Sequence, residues 1–218
     1  MHFLKKMRYV PLLVAPFICL VGAATTYYLN TNAQSSGKGT SRTGAYNNVA
    51  SINTHAPFSP GDSILIACGT TVKTANPATP QNLLSYKRYM GVLVPQGSGV
   101  GGRPITIDTF IDNNNFSTVK PVIDAQGRDS TACIFLYNDS DWTIKDMEIK
   151  STFKIPNTSG GLYPSLSDSF NAQGYRWGIL VDFDNYPSSA PITYKNISII
   201  NNTVDSVYGS YCTPTVFK

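Results

Sequence analysis

Short apolar runs recur along the chain, separated by clusters of Gly, Asn, Asp, Ser and Pro. Runs of five to nine residues rich in β-branched and aromatic side chains, bounded by turn-forming residues, predict strands. They fall at 26–30 (TYYLN), 63–68 (SILIAC), 105–110 (ITIDTF), 121–125 (PVIDA) and 133–137 (CIFLY). Three more follow at 142–150 (WTIKDMEIK), 178–183 (GILVDF) and 192–200 (ITYKNISII). A helical period is scarce. Tyr46, Val49 and Ile52 mark one or two turns within 46–53, and no long amphipathic helix is present. The pattern predicts an all-β fold.

Two of these runs are nearly the same phrase. Laid together, Thr143 falls on Thr193, Lys145 on Lys195, Asp146 on Asn196, Met147 on Ile197 and Ile149 on Ile199. Each phrase follows a shorter apolar strand, Ile134-Phe135-Leu136 before the first and Ile179-Leu180-Val181 before the second. A unit this short cannot bury its own apolar side, whereas stacked units share one core. Stacked coils place equivalent residues about 4.8 Å apart. The expectation is Ile199 over Ile149 inside, and Asn196 near Asp146 at a turn, with residues 152–177 looped out or forming a coil of their own. An antiparallel sandwich also gives short strands at regular spacing. The repeat favours stacking, and no Asn-Gly or Asp-Gly dipeptide joins adjacent strands as a hairpin would ask.

The first residues carry a different message. Lys5, Lys6 and Arg8 precede an apolar stretch at 11–20, and Val21-Gly22-Ala23 has the small residues of a cleavage site. Residues 1–24 are expected to be a signal peptide. The protein is then secreted, whether extracellular, periplasmic or at the cell surface. Pro11 and Pro16 break the apolar stretch, which disfavours a permanent membrane span. Removing this segment takes away three of the 17 basic residues and none of the 13 acidic ones. The apparent basicity therefore belongs mostly to the signal, and no nucleic-acid surface is indicated.

Cys68, Cys133 and Cys212 remain, an odd number that makes no disulfide framework. Cys68 and Cys133 sit in apolar runs and read as small buried hydrophobes. His55 is the one histidine left, which argues against histidine-rich zinc chemistry and a Ser-His-Asp triad.

An ordered set of pieces resembles the opening of secreted right-handed parallel β-helix proteins of the pectate-lyase-like superfamily. The pieces are Tyr27-Tyr28 with a Gly/Ser-rich loop, a short helix, Pro60-Gly61-Asp62, the stretch 98–106 ending in Gly-Arg-Pro-Ile-Thr, and Lys120-Pro-Val-Ile-Asp124. The resemblance implies a right-handed parallel β-helix with a short N-terminal helix or cap. It divides the chain into the signal peptide, a cap and first coils at 25–130, and further coils at 131–218 with an inserted loop at 152–177. Residues 73–90 are longer than the usual link. The end at Lys218 reads as a truncation, this being the N-terminal part of a longer protein. The resemblance implies action on acidic (uronate) polysaccharide, with β-elimination as the reaction. A non-catalytic carbohydrate-binding or adhesive surface module and an inactive fragment are the alternatives. No catalytic residue carries over by motif, and oligomeric state is not readable.

Candidate chemistry follows from that frame. Lyases of this kind use a divalent cation against the uronate carboxylate, and calcium asks for six to eight oxygens. Asp139 and Asp141 in NDSD, with Asp182 and Asp184 in DFDN, are the candidate ligands. Asp in β-turns also commonly bonds its own backbone. Lys145 and Lys195 occupy equivalent positions, but a catalytic lysine needs a depressed pKa, and a solvated outer-face role is simpler. Tyr163, Tyr175, Arg176 and Trp177 are the candidate substrate-binding residues, through aromatic stacking on sugar rings and Arg pairing with uronates. Packing of the loop onto the body is the competing reading. Asn-x-Ser/Thr sequons begin at Asn115, Asn138, Asn157, Asn196 and Asn201. They are either glycosylation acceptors or, for Asn196 and Asn201 especially, members of asparagine ladders at turns.

Overall fold

A computed structural model describes residues 22–55, 57–83, 89–128, 130–151, 176–183 and 196–205. The chain opens with β1 (Thr26–Leu29), a four-residue helix α1 (Ala50–Asn53), β2 (Ser63–Ala67), β3 (Thr71–Val72) and β4 (Met90–Leu93). It continues through β5 (Ile105–Phe110), β6 (Val122–Asp124), β7 (Thr131–Tyr137), β8 (Trp142–Lys145) and β9 (Glu148–Lys150). β10 (Arg176–Asp182), β11 (Ile197–Ile200) and β12 (Thr203–Asp205) follow.

These strands form three sheets. The first has the order β1-β2-β5-β8-β11, the second β3-β6-β9-β12 and the third β4-β7-β10. Every strand pair is parallel. From β2 onward the chain visits first, second and third sheet in turn and then begins again. Parallel neighbours need a crossover between them. Here the crossover is the remainder of a coil, so the fold is all-β, parallel and solenoid-like. Among the described residues no helix is long and apolar enough to cross a membrane.

Strand alternation sends every second side chain inward. Ile64 stacks on Ile107 and Ile107 on Ile144 in the first sheet. Val72, Ile123, Ile149 and Val204 align in the second, and Leu93, Ile134 and Ile179 in the third. Most of these residues belong to one continuous core. The intervening positions of the first sheet face out, and Thr26, Ser63, Thr106, Thr143 and Ser198 fall in one row of hydroxyls across five strands. Asn53 of α1 seats the helix on the third sheet: its amide donates to the Val92 carbonyl at 2.9 Å, and its side-chain oxygen accepts from the Val94 N–H at 2.8 Å.

β7 is buried at all seven positions, because its outer side is covered as well. The long link after β3 lies over it. Ala78 exchanges backbone hydrogen bonds with Gly91, and Ala78, Leu83 and Tyr89 pack on Val94, Ala132, Phe135 and Tyr137. The described part of this link thus builds a second apolar layer outside the third sheet.

The repeat sits in a different register from the one expected. Ile199 stands on Ile144 rather than Ile149, and Asn196 on Asp141 rather than Asp146. Left-handed corner residues are the reason. Asp141 (φ 58°) and Asp146 (φ 63°) flank β8, and Asn196 (φ 59°) and Asn201 (φ 52°) flank β11. Asn and Asp tolerate this backbone better than other side chains. Matching corner to corner lets Asn196 Nδ2 donate to Asp141 Oδ1 at 2.7 Å, and Asn201 Nδ2 donate to Asp146 Oδ1. Ile199 nevertheless remains 47% exposed, since no described strand lies beyond β11. The phrase 142–150 is two strands in two sheets, split at Asp146 and Met147. β3, β4 and β12 fall outside the predicted runs, the helix is shorter than 46–53, and the antiparallel sandwich is excluded by the ladders.

The core stack sets a testable contrast. Ile107→Ala removes a fully buried side chain held between Ile64 and Ile144 and is expected to cost about 2–5 kcal/mol. Thr106→Ala, one position along and facing out, is expected to stay within about 0.5 kcal/mol. Urea unfolding midpoints of the two variants measure the difference.

Candidate functional site

The corner between β7 and β8, residues 138–141, turns the chain from the third sheet into the first. Asn138 and Asp141 both adopt left-handed backbone. Neighbouring coils hold the corner. The Asn138 N–H donates to the Asp182 carbonyl at 3.0 Å and the Gly99 N–H to the Ser140 carbonyl at 2.9 Å. The Ser140 N–H donates to Ser98 Oγ at 3.0 Å. Trp142 Nε1 donates to the Gly97 carbonyl at 2.7 Å.

Gly97 is the pivot. Its φ is 123°, and a Cβ there would sit 2.3 Å from the Phe58 carbonyl oxygen, so a side chain has neither backbone freedom nor room. The close approach aims the Gly97 N–H at Asp139, whose Oδ1 accepts it at 3.1 Å. Asp139 is 6% exposed, and its Oδ2 is buried with no hydrogen-bond partner among the described residues. Burial pushes its carboxyl up to about pH 7, and backbone hydrogen bonds at Gly97 and Tyr137 pull it down only part of the way. Asp62, two coils earlier, shows the satisfied alternative. Its two oxygens accept from the Thr25 N–H at 2.7 Å and the Ser59 N–H at 2.8 Å.

A cavity of about 270 Å³ opens beside Asp139. Pro57, Gln96, Gly97, Tyr137, Asn138 and Asp139 line it together with Pro80, Gln81 and Asn82 of the link after β3. The long link after β3 thus contributes a wall as well as a cover. A carboxyl protonated up to neutrality is a hydrogen-bond donor. It is also poised to give up or take a proton near pH 7, as a general acid or base must.

The expected site residues divide. Asp139 belongs to the cavity. Asp141 Oδ1 is engaged by Asn196, and Asp182 pairs in register with Tyr137. Asp184, Tyr163 and Tyr175 lie outside the described residues, as does Lys195. Among the described residues no three His, Cys, Asp or Glu side chains gather as a metal site. A calcium site made of all four aspartates includes Asp184 and so extends beyond them. Arg176 and Trp177 are strand residues of β10 rather than part of the inserted loop. Trp177 is half-buried and meets the Tyr89 ring edge-on at 4.9 Å, beside Phe135 and Leu180. Lys145 pairs with Asp108 at 2.8 Å, and that hydrogen bond raises its pKa, the reverse of what a catalytic base requires. His55 packs against the rings of Tyr27 and Phe58, which also meet each other edge-on.

The sequence reading missed Gln96, Gly97, Gln81 and Asn82. The available signals were the length of the 73–90 link and the two glycines in Gln96-Gly97-Ser98-Gly99. Neither says which aspartate of NDSD turns inward.

No protein-family model matches the chain, and no curated relative matches it in sequence. Among solved structures it is similar to a GH136 lacto-N-biosidase from Eubacterium ramulus, in the native protein (TM-score 0.57) and the selenomethionine derivative (TM-score 0.55). Identity is 16% in both, over 85% of this chain. The chain spans 28% and 27% of the length of those two structures. A rhamnogalacturonan lyase aligns with a TM-score of 0.42 and 22% identity, over 61% of this chain and 30% of that one. At these identities the likeness to the biosidase is one of fold.

The buried carboxyl predicts how stability depends on pH. Asp139 holds its proton to about pH 7 in the fold but only to about 3.8 when exposed, so between those values the folded state binds more protons. Its contribution is fullest below about pH 4, falls as pH rises through the window and levels off above about pH 7. Asp139→Asn is expected to flatten that fall, read as the difference between wild-type and variant urea midpoints at several pH values.

Proposed function

We propose that this chain is part of a secreted right-handed parallel β-helix protein that engages polysaccharide at the Asp139 cavity. The handedness follows from the strong preference of parallel crossovers for the right-handed path. One observation carries the functional reading: a carboxyl more than nine-tenths buried, with an unpartnered oxygen, lines a cavity walled by amide side chains. Buried polar atoms are normally paired, and an exception calls for an explanation such as a catalytic or binding role. The surroundings suit a sugar. Tyr137 belongs both to the cavity and to the apolar layer that contains Tyr89 and Trp177, so polar groups and aromatic rings adjoin. That a structurally similar protein is a lacto-N-biosidase supports the reading by analogy of fold alone.

Asp139 is the residue to which acid or base work is assigned. Polysaccharide cleavage, by hydrolysis or by the β-elimination expected from the family resemblance, needs such a group within reach of the scissile bond. A non-catalytic binding module is the second reading, favoured by the shielding of the free Asp139 oxygen from water.

Incubation with a panel of acidic and uncharged polysaccharides, with and without calcium, tests this. Unsaturated product, new reducing ends and binding heats are followed together. At least one polysaccharide is expected to bind, and Trp177→Ala to weaken that binding several-fold. If product forms, Asp139→Asn is expected to lower kcat by about 10²-fold or more while leaving binding in place. Binding without product selects the module, and no binding across the panel overturns the proposal.

A further inference from the structure

We infer that cleavage between Ala24 and Thr25 supplies an ion pair that the fold otherwise lacks: the new Thr25 ammonium lands on the buried carboxylate of Asp62. The inference rests on the secreted reading and is independent of any sugar. Water adds across the peptide bond, its oxygen going to the Ala24 carbonyl carbon and both its hydrogens, as protons, ending on the Thr25 nitrogen. A carboxylate leaves with the leader, and an ammonium, charged at neutral pH, stays with the protein. Gly22 and Ala24 stand three residues and one residue before the cut, where signal-peptide sites carry small side chains. Gly22, Ala23 and Ala24 are exposed, as a processed bond must be.

The receiving carboxylate is already in place. The Thr25 nitrogen donates to Asp62 Oδ1 at 2.7 Å, and the Ser59 N–H donates to Oδ2 at 2.8 Å. Both oxygens are hydrogen-bonded, but the charge is not balanced. Asp62 is 3% exposed, yet the ion pairs among the described residues are Lys145–Asp108 and Lys150–Glu148. A buried carboxylate without a cation is costly. Its neighbour feels it: burial first, and then the charge of Asp62, hold the Tyr27 phenol above its usual range.

Both partners are fixed from their other sides. The Asp62 N–H donates to the Ser59 carbonyl at 3.0 Å, closing the turn Ser59-Pro60-Gly61-Asp62, in which Gly61 supplies the left-handed φ of 91°. The Asp62 carbonyl accepts from the Thr106 N–H at 3.0 Å. The Thr25 carbonyl accepts from the Ser63 N–H at 2.9 Å, and Thr26 pairs with Ser63 as β1 begins. Cleavage therefore adds charge to a nitrogen that the ladder already holds against Asp62. The Pro-Gly-Asp piece is the turn that aims this carboxylate.

Secretion of the full chain from a bacterial host, with the intact mass of the product, tests the cleavage. The product is expected to start at Thr25. Its melting is then compared with that of a chain made to start at Gly22 and of the Thr25 product acetylated on its α-amine. The free Thr25 product is expected to melt about 2–4 °C above both. The hydrogen bond from Arg103 to the Gly22 carbonyl, 3.2 Å, belongs only to the longer chain and works against this gap. Asp62→Asn is expected to remove most of the gap. A product that keeps residues 1–24 or starts elsewhere overturns the inference, as does a gap that is absent or survives Asp62→Asn. Should that variant not fold, the acetylated wild type decides, and melting level with the free product overturns the inference. None of these outcomes depends on the polysaccharide panel.

Discussion

Register between parallel strands governs this molecule. Once the backbone of one coil bonds to the next without slip, each side chain is committed to the position directly above its counterpart. Isoleucine then meets isoleucine in the interior, hydroxyl meets hydroxyl on the outer face of the first sheet, and corner meets corner. A one-residue slip would turn the whole apolar set outward. Asp and Asn at left-handed corners prevent it, because they fix where each strand begins and ends and bond to one another between coils.

The same constraint creates the candidate site. The segment 96–99 must lie under the corner 138–141 because β4, β5, β7 and β8 are in register around it. Gly97 then approaches Phe58 and Asp139 closely enough to bond one carboxylate oxygen, while the other is buried without a partner among the described residues. The chemistry at the cavity is therefore a by-product of stacking, sharpened by the link that covers β7.

Most strands were legible because alternation of apolar and polar residues is a local property. The run 105–110 coincides with β5, and 63–68 and 26–30 differ from β2 and β1 by one residue. β4 escaped because Met90-Gly91-Val92-Leu93 is buried on both faces and does not alternate. The phrase 142–150 looked continuous because a left-handed corner leaves no mark in hydrophobicity, only an Asp that also suits an ordinary turn. The repeat itself was legible and its register was not. Both phrases carry lysine, a turn residue and isoleucines, so they overlay at an offset that ignores the corners, whereas the fold obeys them. At the site, the acidic pair in NDSD was readable. Which member is buried depends on Gly97, some forty residues away, and no local pattern encodes that. The aromatic reading of Trp177 sits between its two alternatives, since the ring is packed and yet half-exposed.

Coils of unequal length share this stack. Residues brought together across neighbouring coils are separated by 42 positions at Gly97 and Asp139 and by 55 at Asp141 and Asn196. The extra chain is taken up between strands and leaves the ladders undisturbed. Such a scaffold separates the parts that must stay constant from the parts free to vary. A connecting segment can grow long, as at 73–90, and reshape the outer surface without renegotiating the core.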